Sequence, residues 1–171
     1  MILRIRTYPD PVLRRRAVPV EGVDERIRRL LDDMLETMYA APGIGLAAPQ
    51  VGESLRVIVA DVSEEKNAPL RMVNPEITWR SQTTAVAEEG CLSLPEIYGE
   101  VERPEAVEVR YLDETGAERT LRAEGLLARC LQHEIDHLDG VLFVDRLSPV
   151  RRSVLLRRYG KLRRQRTPAK V

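Results

Sequence analysis

The stretch Gln132-His133-Glu134-Ile135-Asp136-His137 constrains this chain more than any other. It holds both histidines of the protein, in the arrangement H-E-x-x-H. On a helix, residues four apart advance by about 400°, so the two rings leave nearly the same face. Their nitrogens can then meet on one divalent metal ion, with Glu134 between them to handle a proton. The alternative is a helix surface that carries two histidines by coincidence, and the rest of the chain decides between the two.

At 171 residues, 43% hydrophobic and 32% charged, the chain has the length and composition of one soluble globular domain whose core needs no disulfide. No run of eighteen apolar residues exists, so no membrane span is expected. The start, Met1-Ile2-Leu3-Arg4-Ile5-Arg6 leading into Tyr8-Pro9-Asp10-Pro11, lacks the apolar core and cleavage site of a secretory signal. Cys91 and Cys130 are therefore expected to stay thiols in the cytoplasm, serving metal or packing. The net charge of zero conceals a split: residues 146–171 carry ten Arg and Lys and no acid, leaving 17 basic and 27 acidic side chains in residues 1–145. A block this one-sided repels itself unless it is solvated or meets a polyanion.

Asp10-Pro11 reads as the cap of a short helix through Val12 to Ala17. Asp24 caps the next helix, with Ile27, Leu30, Leu31, Met34, Leu35 and Met38 on one face, ending by Pro42-Gly43. Residues 43–50 read as a loop of small side chains, and Leu55 to Ala60 as a strand. Short strands are expected at Arg71–Asn74 and Ile77–Arg80, broken at Pro75. Ala106–Leu112 and Glu118–Ala123 form a hairpin around Asp113-Glu114-Thr115-Gly116. Leu126–Leu138 is the histidine-bearing helix, closed by Gly140, and Val141–Val144 reads as a last strand. Ser148-Pro149 opens a basic C-terminal helix with Val150, Val154, Leu155, Tyr159 and Leu162 inward. The fold class is α+β: mainly antiparallel sheet packed around a central H-E-x-x-H helix, with an N-terminal amphipathic helix and a C-terminal basic helix. Residues 1–147 read as one catalytic domain, with the basic helix and tail of 148–171 appended to it.

A catalytic metal needs three protein ligands and an open position, and two histidines are one short. Cys91, Cys130 and any carboxylate are candidates for the third. Cys130 shares the helix, but a metal held by His133 and His137 would sit near residue 135, about five residues or ~7.5 Å further along. Cysteine is short, and helical side chains lean toward the N-terminus, here away from the metal. Cys91, next to Gly90 in a loop, is better placed, and a thiolate with two neutral imidazoles leaves a fourth position free.

Gly43-Ile44-Gly45-Leu46-Ala47-Ala48-Pro49-Gln50, Glu89-Gly90-Cys91-Leu92-Ser93 and Gln132-His133-Glu134-Ile135-Asp136-His137 resemble, in order and spacing, the three signature motifs of the peptide deformylases. The similarity runs from Pro9-Asp10-Pro11 to about Pro149. It implies hydrolysis of the N-formyl group of N-formylmethionine on nascent proteins, with release of formate. It implies Cys91, His133 and His137 as ligands of one divalent ion per chain, Fe2+ in the cell with Zn2+ or Ni2+ able to substitute. Glu134 would be the general acid/base toward metal-bound water, and Gln50 and the Leu92 N–H would hold the carbonyl oxygen. Ile44 and Gly45 would pair with the substrate backbone, Leu126 and Cys130 would line the methionine pocket, and Gly90 and Tyr98 would border the cleft. Glu89 and Arg103 match positions that pair in the family, and Asp136 either orients an imidazole or is a solvated helix carboxylate.

Tyr98 stands where relatives often carry arginine at the cleft rim, which leaves preference beyond the first substrate residue open. The C-terminal block fits docking on ribosomal RNA, as a C-terminal helix does in some bacterial relatives, or is a solvated arginine face. A monomer without membrane attachment is expected. Two other readings use less of the chain: an endopeptidase of the H-E-x-x-H type, for which a third histidine is missing, and a non-catalytic RNA-binding protein with a structural metal.

Overall fold

The structure is a computed structural model that describes residues 1–166. Helix α1 (Glu25–Ala40) starts where the Asp24 side chain accepts the Ile27 N–H at 3.0 Å. Its face of Ile27, Leu31, Met34, Leu35 and Met38 is buried against Leu46, Val57, Val59 and Val73. Each such side chain removed from water contributes about 1.5–3 kcal/mol, which is what holds the helix to the sheet. That sheet has five antiparallel strands in the order β1 (Gly45–Ala47), β2 (Val57–Ala60), β3 (Leu70–Arg80), β6 (Ala106–Leu112) and β7 (Glu118–Glu124). Because strand residues alternate faces, Ile58 and Ala60 point the other way, into a second core with Met72, Val107 and Val109.

Helix α2 (Gly125–Leu138) covers that second face with Ala128, Leu131, Ile135 and Leu138. Strands β4 (Thr84–Cys91) and β5 (Leu94–Pro104) pair only with each other, as a separate two-stranded sheet. A third core joins Leu94, Ile97 and Val101 of β5 to Phe143, Val144 and helix α3 (Pro149–Arg166) through Leu155 and Tyr159. The Tyr159 hydroxyl donates to the Tyr8 carbonyl at 2.9 Å, tying α3 to the N-terminal segment.

Several local expectations are corrected. Only Pro11–Arg14 turns, as a 3-10 helix, because Arg15 extends and the Ala17 N–H bonds to Leu138 at 2.8 Å. Residues 45–47 are an edge strand paired with Ile58–Ala60, not loop. The two short strands around Pro75 are one strand: Asn74 adopts φ 52° at a register shift, its side chain exchanging two 2.8 Å bonds with Val20, so that proline sits in a bulge. Val141–Val144 is not a strand; Phe143–Arg146 is a 3-10 turn in which Asp145 accepts the Leu142 N–H at 2.9 Å. On α3 only Leu155 and Tyr159 are buried, whereas Val150 and Val154 are 72% and 56% exposed. Position 154 lies about 100° around the helix from 155, and the face toward β5 is too narrow to include both. The end of the basic block, with Lys170, lies outside the described residues.

Candidate metal centre

On α2, His133 and His137 sit one turn apart with ring centroids 5.1 Å from each other. Cys91 ends β4 where the ladder shifts register, and its Sγ lies 3.3 Å from His137 Nε2. One ligand atom from each of these three residues falls within 4.8 Å of the others. His133 Nδ1 is 2.9 Å from Glu89 Oε1. Burial raises the Glu89 carboxyl, but hydrogen bonds from His133 and Arg103 outweigh it and hold it down at about 2. Glu89 is therefore ionised and can only accept, so Nδ1 donates to it and Nε2 is the nitrogen left to face a metal.

The residues fit a divalent ion. One thiol and two imidazoles supply three soft-to-borderline donors and leave a position open, as catalytic sites require. The electrostatics agree: burial disfavours charge on His133, yet Glu134, Cys91 and Glu89 hold it well above the ordinary histidine value. Burial and the neighbouring His133 push His137 well below that value. The surroundings thus favour positive charge at His133 and keep His137 neutral.

Glu134 lies beside it, and its Oε1 is buried with no hydrogen-bond partner among the described residues. Burial pushes its carboxyl up to about 7. Gln50, in the 3-10 turn Ala48–Val51, is fixed by the Ala47 N–H donating to its Oε1 at 2.9 Å. Its Nε2 donates to Ser93 Oγ at 3.1 Å and reaches Cys91 Sγ at 3.6 Å. Ser93, fully buried, donates its hydroxyl to the Arg6 carbonyl at 2.7 Å. Sequence reading gave no role to Ser93, although it lies in the Cys91 segment.

Gln50, Cys91, His133 and Glu134 open onto a cleft of about 760 Å³, whereas His137 is buried and does not line it. Ile44, Gly45, Gln50, Gly90, Cys91, Leu92, Tyr98, Leu126, Cys130, His133 and Glu134 all line it. Ile44, Tyr98 and Leu126 are exposed large side chains there. The Tyr98 ring covers Gly90, where an added Cβ would meet it at 2.6 Å. Cys130 is buried, its thiol raised by burial and kept within 3.5 Å of the Ile44 carbonyl; it stands outside the three-ligand cluster. Both cysteines are free.

Asp136 fits neither role expected of it. It accepts Arg103 at 3.0 Å and Arg146 at 2.7 and 3.1 Å, and does not touch an imidazole. The carboxylate that orients His133 is Glu89, held in turn by Arg103 at 2.6 and 2.9 Å and by Arg129 at 2.6 Å. Arg129 was not singled out by sequence reading; the signal was its place four residues before His133.

A helix-borne pair of imidazoles and a thiol from a strand end thus meet beside a buried carboxylate, a set that could hold a metal ion. The sequence profile of the family described as polypeptide deformylase matches residues 2–153. A peptide deformylase of Rhizobium meliloti is 56% identical over 155 residues, covering 90% of this chain and 89% of the relative. The crystal structure of a peptide deformylase from Legionella pneumophila superposes with a TM-score of 0.92 at 48% identity, covering 98% of this chain and 100% of that one. One from Synechococcus elongatus, in complex with actinonin, gives 0.88 at 48% identity and covers 92% and 88% of the two chains. The chain belongs to the polypeptide deformylase family, metal-dependent enzymes that remove N-formyl groups from nascent peptides.

Proposed function

We propose that this enzyme hydrolyses the formyl amide of N-formylmethionyl nascent peptides in the cytoplasm, as a monomer, and releases formate. The observation that carries this reading is the convergence of Cys91, His133 and His137 beside buried Glu134, with Cys91, His133 and Glu134 lining the cleft. These three residues would hold one divalent ion, Fe2+ in the cell with Zn2+ or Ni2+ able to replace it. Such an ion supplies Lewis acidity, lowering the pKa of water from about 15.7 toward 7 and polarising a carbonyl. Glu134 takes the proton of the attacking water and returns it to the departing amine. A carboxyl pushed up to about 7 suits a group that both accepts and gives a proton near neutrality.

Gln50 Nε2 and the Leu92 N–H are the donors for the formyl oxygen as it gains charge, and loss of one such donor costs about 2.7–4 kcal/mol. Ser93 and the Ala47 N–H pin the Gln50 amide, so it needs no reorganisation when charge develops. Ile44 and Gly45 pair with the substrate backbone, Leu126 and Cys130 line the methionine pocket, and Gly90 and Tyr98 border the cleft. Residues 1–147 supply the catalytic unit, to which 148–171 are appended. Helix α3 turns Arg151, Arg157, Arg158, Lys161, Arg164 and Arg166 outward, a surface suited to ribosomal RNA phosphates. Binding to ribosomes that weakens steeply with salt, and is lost on reversing those charges, is the expected result.

The deciding assay is formate release from formyl-Met-Ala-Ser by protein prepared with iron or nickel in the absence of oxygen. Absence of formate, or activity that survives Glu134→Ala, overturns the reading.

A further inference from the structure

Arg129 is buried on α2, outside all three signature segments. The spacing 129, 133, 137 puts it on one helical stripe with His133 and His137. Its Nη1 donates to Glu89 Oε2 at 2.6 Å and to the Val101 carbonyl of β5 at 2.9 Å, and its Nη2 to the Ala85 carbonyl of β4 at 2.8 Å. His133 Nδ1, one turn along, meets the other oxygen of the same carboxylate at 2.9 Å. Two side chains a turn apart on one helix thus hold the two oxygens of one strand-borne carboxylate. Arg103 donates once more to each oxygen, at 2.6 and 2.9 Å, so all four acceptor positions of Glu89 are filled.

We propose that Arg129 is a positioning residue of the metal centre: it keys the Glu89 carboxylate to the α2 face that carries His133, fixing the imidazole and its Nε2 relative to Cys91. The proposal rests on the metal-centre reading above. Among the described residues Arg103 bonds directly to α2 at Asp136, whose oxygens are shared with the half-exposed Arg146. Arg129 leads from the helix directly to the carboxylate, and it also anchors both strands of the hairpin that ends in Cys91. Simple filling of the wall would be served by leucine or methionine, which need no desolvation of a guanidinium.

The test is loss of Zn2+ from the loaded full-length enzyme to a chromophoric chelator, with unfolding of the metal-free proteins followed in parallel. Arg129→Met is expected to weaken Zn2+ retention about 10–100-fold, and Arg129→Lys to recover part of it. In a Glu89→Gln background, Arg129→Met is expected to add no more than about twofold, because the carboxylate it acts through is already gone. Losses that multiply in that background, or Zn2+ retention unchanged while metal-free stability falls, overturn the proposal. If Arg129→Met does not fold, Arg129→Lys carries the same cycle, with multiplied losses again the refuting outcome. Cys91→Ser separates the two readings. Equal retention by Cys91→Ser and the unaltered enzyme removes the metal-centre reading and this one with it. Loss in Cys91→Ser but not in Arg129→Met removes this one alone.

Discussion

Gly45 is where β1 runs against the face of α2 that carries Glu134, and Gly45→Ala tests how tightly that contact sets the carboxylate. A Cβ there would lie 2.6 Å from Glu134 Oε2, 2.7 Å from Cys130 Sγ and 2.9 Å from Glu134 Cγ. Ordinary contact is about 3.5 Å or more, so the gap must open by about 0.8–0.9 Å at the two closest atoms. The strand cannot yield easily: Gly45 pairs with Ala60, and the Ile44 carbonyl accepts the Asp61 N–H at 2.8 Å. Nor can the helix, whose Leu131, Ile135 and Leu138 are locked in the core. The Glu134 carboxylate is the movable part.

Overpacking of this kind costs about 1–3 kcal/mol of stability. Displacing a catalytic group by about 1 Å costs about 10²-fold in rate. The expected result is a Tm lower by about 2–4 °C per kcal/mol and a kcat lower by about 10²-fold, with KM changed far less. Formate release read through a coupled dehydrogenase, together with thermal unfolding, measures both. Adding Cys130→Ala removes the sulfur clash but not the clash with Glu134, so stability is expected to recover in part and kcat is not. Gly22→Ala, whose Cβ would meet nothing within 4 Å, is the control for the intrinsic glycine-to-alanine effect. A Gly45→Ala enzyme with kcat within about twofold of the unaltered protein would refute the claim that β1 sets the Glu134 position.

Stripping the metal with a chelator is expected to abolish formate release and lower Tm by about 5–10 °C, since an ion at 100 times its Kd contributes about 2.7 kcal/mol; readdition restores both. Tyr159→Phe strands the Tyr8 carbonyl and is expected to cost about 1–3 kcal/mol in urea unfolding, and Tyr159→Ala about 3–5 kcal/mol. Burial, with the hydrogen bond to Asp61, raises the Tyr39 hydroxyl to about 12. A raised folded-state value means stability present below the unfolded value of about 10 and lost as pH climbs toward 12. The stability gap between the unaltered protein and Tyr39→Phe is therefore expected to shrink across pH 10–12, and a constant gap contradicts the linkage.

Helix α1 and the β6–β7 hairpin were legible because their apolar side chains repeat at the period of the element they form. The His133–His137 pair was legible because ligand spacing and helix period coincide. Strands β4 and β5 were not, and the reason is chemical. Their buried positions mix Leu94, Ile97 and Val101 with Glu89, Gly99 and Arg103, while Val86 and Tyr98 face outward, so hydrophobic alternation is interrupted where the hairpin serves the site. Cys91 has no local pattern linking it to the histidines; helix geometry disfavours Cys130, and the resemblance of the Cys91 segment does the rest. Arg129 was hidden for a related reason: its stripe with His133 gains meaning only once a carboxylate from another strand lies across both. The turn at Phe143–Arg146 was misread because Gly140 takes φ 74° against the Arg14 carbonyl, 2.6 Å from where a Cβ would stand, and redirects an apolar segment that otherwise looks like a strand.

Glu89, Arg103, Arg129 and His133 are all buried beside one helix, and singly each would be costly there. They persist because each is held by the next, and what the network secures is the placement of three ligand atoms. Replacing a buried ion pair by apolar side chains is often neutral for folding, whereas removing one partner costs about 3–5 kcal/mol. Glu89→Leu strands Arg103, and Arg103→Met leaves Glu89 short of two donors. In the double variant Arg129 keeps the Val101 and Ala85 carbonyls, and Asp136 keeps Arg146. The metal-free double variant is therefore expected to be more stable in urea than either single variant, while retaining Zn2+ about 10–100-fold less well than the unaltered protein. If instead the two single losses add, the pair belongs to the stability of the fold itself, and the charges around His133 are not there for the metal.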